Sequence, residues 1–276
     1  MIKTKTLLYM AGCIALLTGC QGAKLLPPSN ELVVVRGYLQ ANIPVSNLNI
    51  TSTLDLGSPD TAGPPIRDAM VNVITNDVCY ELFHMGNGNY GSPENPYGTD
   101  DCLECGFNLF PGDTIYLEVF YFGKIATAST VIPPKPENLQ KPVDPLIVPA
   151  SANGEPHGDA LEISWELDGD FWFYIESWNY EVNRVPIDGG EPVSGYEPHY
   201  ISDLFMDRKF VVAWDQLPYY GRYRIKVVVA TREYVELYLT RNQDSRDLNE
   251  PISNITNGLG IFTATNNVSF DITVER

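Results

Sequence analysis

Basic residues are scarce in this chain: 18 lysines and arginines stand against 35 aspartates and glutamates in 276 residues. A surface of that sign repels phosphate backbones, and no basic stripe relieves it, so nucleic acid is excluded as an expected partner. Histidine is scarcer still. His84, His157 and His199 are isolated, and no serine stands in a G-x-S-x-G elbow. Hydrolytic chemistry therefore has no visible nucleophile, and no catalytic residue, metal or cofactor is assigned. Asp168-Gly169-Asp170 is too short for a calcium loop and reads as a turn.

Long apolar runs are missing too. Leu7 to Leu17 is almost wholly apolar but falls short of the ~20 residues that a spanning helix needs. It follows Lys3 and Lys5, which gives the charged and apolar regions of an export signal over residues 1–19. Leu17-Thr18-Gly19-Cys20 resembles the bacterial lipobox. The resemblance implies cleavage before Cys20 and acylation of its thiol and new N-terminus, so that membrane lipid is a partner through Cys20. Several acyl chains at ~0.8 kcal/mol per buried methylene hold a protein stably. The mature chain would carry 16 basic and 35 acidic residues, a net charge of −19. Attachment then rests on the acyl chains and not on attraction to anionic lipid.

Twenty-one prolines, 22 glycines and 16 tyrosines among short Val/Ile-rich runs point to an all-β chain. After a tether over 20–30, strands are expected at 31–39 and, from the alternation of Leu48, Ile50, Leu54 and Leu56, around 48–56. A hairpin is expected to turn at Asn76-Asp77, and a second at Gly123-Lys124. Together these make a small immunoglobulin- or transthyretin-like β-sandwich over 31–132. Pro133 to Pro149 holds six prolines in seventeen residues and reads as a stiff connector. A second β-sandwich is expected over 150–276, with one short helix near 233–243, where Tyr234 and Tyr238 fall four apart. Trp172, Tyr174, Trp178 and Tyr180 share one strand parity, which the sandwich core is expected to take up.

Cys102-Leu-Glu-Cys105 lacks the βαβ setting of a redox motif and the second pair of a zinc site. In an oxidising envelope a disulfide is expected, Cys102 with Cys105 or Cys79 with one of them, leaving one thiol over. The motif sits in some thirty aperiodic residues between Phe83 and Thr114, longer than a compact domain ordinarily leaves without a role. Tyr90, Tyr97, Phe107 and Phe110 offer flat apolar faces there, and Asp100, Asp101 and Glu104 offer acceptors, a set suited to a ligand or protein partner. The alternative is a surface loop packed on its own aromatics.

Gly37 in LVVVRGYL, then RDAMVNV, LFPGDTIYLEVFYFGKIATASTVIPPKP, REYVELYLTRNQ and PISNITNGLGIFTA, with Gly258, Gly260 and Phe262, follow one another in a recognisable order. The chain resembles the Bacteroidetes lipoprotein family of domain of unknown function 4249 over nearly all of its mature length. The resemblance implies an outer-membrane lipoprotein of β-sandwich build, often encoded beside TonB-dependent receptors, and no catalytic residues. Residues 69–75 resemble transthyretin-like modules. Asp60-Thr61-Ala62 and Asp113-Thr114-Ile115 resemble the Bacteroidetes O-glycosylation signal, which makes Thr61 and Thr114 candidates. Gln21-Gly22-Ala23-Lys24 lacks the acidic run associated with surface display, so both faces of the outer membrane stay open. The expected function is a non-catalytic accessory binding subunit working with a TonB-dependent receptor in nutrient capture; the alternative is a structural or adhesive surface protein. No enzyme is expected.

Overall fold

β-branched and aromatic residues at alternate positions make strands of most of this chain. A computed structural model describes residues 31–46, 48–54, 58–60, 62–92, 109–149, 158–194, 199–240 and 253–276. The fold is mostly β, consistent with an all-β sandwich, with one α-helix among the described residues. Among the described residues, no helix is long and apolar enough to cross a membrane. Leu32–Arg276 is one compact unit.

Seven successive strands contribute to the first core: β1 (Val33–Gln40), β2 (Leu48–Ser52), β3 (Met70–Thr75), β4 (Val78–Gly86), β5 (Asn89–Gly91), β6 (Thr114–Tyr121) and β7 (Lys124–Val131), and the last strand of the chain joins them. In space they run β1-β2-β5-β4-β3-β6-β7, each antiparallel to its neighbour. Val33, Val35, Gly37 and Leu39 of β1 are buried while Arg36 and Tyr38 are exposed, the two-residue period of a half-buried strand. Val71, Val73, Leu117 and Val119 meet them in one cluster.

Asn76 and Asp77 make the first hairpin turn, at φ 50° and 62°. A two-residue turn of this kind needs positive φ at both positions, which Asn and Asp accept. The second turn falls on Phe122-Gly123, at φ 45° and 74°, one residue before the expected place, because Tyr121 pairs with Lys124. β2 stops at Ser52, and Leu54 is exposed beyond it. The aperiodic segment after Phe83 begins as sheet: β4 continues to Gly86, turns at Asn87-Gly88 and returns as β5.

The proline-rich stretch lies against the second core. It contributes β8 (Glu137–Gln140) and β9 (Leu146–Ile147). The strands that follow are β10 (Asp159–Glu166), β11 (Trp172–Asn179), the β12 (Asn183–Arg184) and β13 (Val193–Ser194) pair, β14 (His199–Ile201), β15 (Lys209–Ala213), β16 (Gly221–Ala230) and β17 (Gly258–Glu275). The sheet β15-β10-β8 packs on β14-β11-β16-β17 through Ile163, Trp165, Phe173, Ile225 and Val227. Trp165 meets Phe173 edge-to-face at 5.1 Å.

β17 belongs to both cores. Gly258 to Thr265 lie parallel to β1, and Thr265 to Val274 lie antiparallel to β16. Phe262 and Ala264 fill the first core, Phe270, Ile272 and Val274 the second. At ~3.3 Å per residue its 18 residues reach about 60 Å. β7 is stitched to the chain just before β17 by Thr127 and Thr256, whose backbones exchange hydrogen bonds of 3.0 and 2.8 Å.

Candidate functional site

Helix α1 (Arg232–Thr240) forms where Tyr234 and Tyr238, and Val235 and Leu239, recur at four-residue spacing. It lies on the outer face of the large sheet, where Val235 packs on Tyr174, Val228 and Ala230. Arg232 Nε donates to Glu236 Oε1 at 2.6 Å, one turn on, which holds the guanidinium more firmly protonated. Tyr238 donates its hydroxyl to the Asp203 carboxylate. Tyr234 stacks on Tyr174 with ring centroids 5.5 Å apart and planes within 17°.

A groove opens on either flank of this helix. The larger, about 710 Å³, lies where the two cores meet. Pro111, Val131, Pro133, Phe171, Trp172 and Val235 line it, and Asp170, Arg232 and Glu233 supply its charged groups. The smaller, about 530 Å³, is lined by Tyr38, Leu39, Gln40, Tyr174, Tyr234 and Tyr238. Burial, with Glu176 next, pushes the Tyr174 hydroxyl far above its ordinary value, and burial raises Tyr234 as well. These phenols stay protonated through the neutral range and can only donate or accept hydrogen bonds. The grooves therefore offer apolar walls, flat rings and hydroxyls, which suits holding a ligand. Among the described residues, no three His, Cys, Asp or Glu side chains gather as a metal site.

The aromatic residues of β11 face this way and not into the sandwich. Phe173 and Ile175 take the core positions, so Trp172 and Tyr174 fall on the opposite face beneath α1. The expectation that this parity fills the sandwich core is thereby corrected: a second apolar layer, supplied by the helix, covers the outer face. Further along that face Lys226 pairs with Glu176 at 3.4 Å and lies over Trp178 at 5.9 Å. Arg224 lies over Tyr180 at 5.3 Å.

Of the residues singled out in the sequence, Cys20, Thr61, Tyr97, Asp100, Asp101, Cys102, Glu104, Cys105 and Phe107 lie outside the described residues. Phe110 is about half exposed and adjoins Pro111 of the larger groove. Asp113 closes the turn there, accepting from the Phe110 N–H at 3.0 Å. Thr114 is exposed as the first residue of β6. Cys79 is an exposed free thiol on β4. Tyr90 is not a displayed face: it is 1 % exposed in the first core. Its hydroxyl accepts from Ala69 N–H at 3.1 Å and donates to Ile66 C=O at 3.2 Å. Burial raises its pKa as well. The larger groove has no sequence signal of its own, because its lining comes from four separated stretches. The prolines at 133 and 134 were legible only as connector.

No curated protein matches the chain. The family model described as Domain of unknown function (DUF4249) matches residues 25–271. With nearly the whole β fold inside that match, the chain belongs to the DUF4249 family.

Proposed function

We propose that this chain is a lipid-anchored, non-catalytic accessory binding protein of the bacterial outer membrane, working with a TonB-dependent receptor in nutrient capture. The observation that carries the reading is Leu17-Thr18-Gly19-Cys20 in register behind a charged and apolar leader. An acylated Cys20 holds the β fold at the membrane, and the helix-flanking grooves hold the ligand or the partner's segment. Apolar walls with a few charged groups suit that role. A second reading, a structural or adhesive surface protein, draws support from β17, a long strand shared by two cores and suited to a rigid spacer.

Co-purification from detergent-solubilised outer membranes separates the two. The first reading expects a TonB-dependent receptor in the purified complex and impaired nutrient uptake in cells lacking the protein. Absence of any receptor, with normal uptake and lost adhesion, would favour the second.

A further inference from the structure

The strands of the first core share one end. β1, β3, β5, β7 and the parallel β17 start there, and β2, β4 and β6 finish there. The described chain comes in at that same end, through Glu31 and Leu32. Val33 pairs with Gly258, and the neighbouring Asn257 side chain donates to Ile125 C=O at 3.2 Å. The β6–β7 turn therefore lies close to the start of β1.

An apolar row crosses three neighbouring strands and the β7 start at this end. Met70 pairs with Phe120, Phe120 pairs with Ile125, and Phe83, one residue beyond the Val71–Leu82 pair, continues the row across β4. Met70, Phe83 and Ile125 are each about half exposed. The turn itself presents Phe122, 51 % exposed at φ 45°. A bulky side chain in the left-handed region is a genuine outlier, and Asn or Gly would sit there at less cost. The Phe122 ring meets Tyr121 edge-to-face at 4.4 Å and still leaves about half of the residue in solvent, apolar surface that the fold itself does not cover.

We propose that this end is a bilayer-contacting face, on which Phe122 and the Phe83–Met70–Phe120–Ile125 row rest in the interfacial layer of the membrane that holds Cys20. The inference builds on the acylation of Cys20 proposed above. The eleven residues from 20 to 30 span at most ~40 Å when extended, which keeps the Leu32 end within reach of the lipid. Apolar and aromatic side chains gain by entering the headgroup boundary beside such an anchor. The orientation follows: the larger groove, next to Ala230 and Trp172 at the far end of β1, stands ~25 Å further from the bilayer.

The test uses the whole mature chain, residues 20–276, held by an N-terminal histidine tag on phosphatidylcholine vesicles containing a nickel-chelating lipid. Hydrogen exchange is compared with the same chain free in solution. Slowed exchange at 121–124, unchanged exchange at the opposite turn 76–77, and loss of the effect in Phe122→Asn are expected; asparagine fits the turn, so that variant stays folded. Equal exchange at 121–124 with and without vesicles would overturn the proposal. So would slowing that needs an added receptor, since that would assign the face to a protein. Acylation is read separately from the mass of the native N-terminus, so failure of the anchor and failure of the face leave different records.

Discussion

Gly37 and Phe262 are partners on the parallel strands β1 and β17, so close that a β-carbon at 37 would stand 2.7 Å from Phe262 Cδ2. Leu48 Cδ1 would be 2.6 Å away on the other side. Both contacts are with buried side chains that have little room to retreat. Gly37→Ala should therefore destabilise the fold by ~1–3 kcal/mol through overpacking, read as a lower denaturation midpoint. An unchanged midpoint would mean that β1 and β17 are not joined as described.

Tyr90 closes the first core with a hydroxyl bonded on both sides. Tyr90→Phe keeps the ring and strips those bonds, leaving the Ala69 N–H and Ile66 C=O without this partner. A loss of ~1–3 kcal/mol in urea unfolding is expected. Binding by the detergent-extracted protein should be unchanged, because the ring faces the core.

Arg224 grips Asp271 with two bonds, Nε to Oδ1 at 2.8 Å and a terminal amine to Oδ2 at 3.0 Å. The hydrogen bonding holds the Asp271 carboxyl below its ordinary 3.8. A depressed folded pKa stabilises the protein above the unfolded value, and that contribution disappears as the pH falls through the folded one. The effect belongs to acid solution below about pH 4 and is screened by salt, since both groups are largely exposed. A carboxyl NMR titration should place Asp271 below 3.8, and Arg224→Gln should move it up toward that value.

Cys79 is exposed and free. A maleimide should modify it in the native protein without denaturant. If Cys102 and Cys105 form the remaining pair, the labelled protein gains one adduct and no more until a reductant is added. Two or three adducts before reduction would rule that pairing out.

Much of the strand architecture was legible because local chemistry and tertiary structure agree. The alternation in LVVVRGYL and the left-handed tolerance of Asn76-Asp77 need no distant partner to be read. Illegibility came where distant packing decides. Glycine and lysine drew the second turn to 123–124, yet the pairing of Tyr121 with Lys124 puts Phe122 at a conformation its side chain disfavours. The full length of β17 is not legible, because the polar Asn266-Asn267 pair breaks the apolar pattern in mid-strand. Asn266 is nevertheless buried and bonded to Pro133 C=O at 2.9 Å. Tyr90 looked like part of a loop since Gly86 to Gly88 interrupts the strands that hold it. The aromatic parity of β11 was assigned to the wrong layer because the helix covering it lies some sixty residues away in sequence.

The account turns on the sulfur of Cys20. Mass spectrometry of the N-terminal peptide, from protein extracted out of the membrane fraction, tests it most directly. An N-terminal cysteine at position 20 carrying acyl groups is the predicted result. An unmodified terminus at another residue, in protein released to the soluble fraction on lysis, would contradict it.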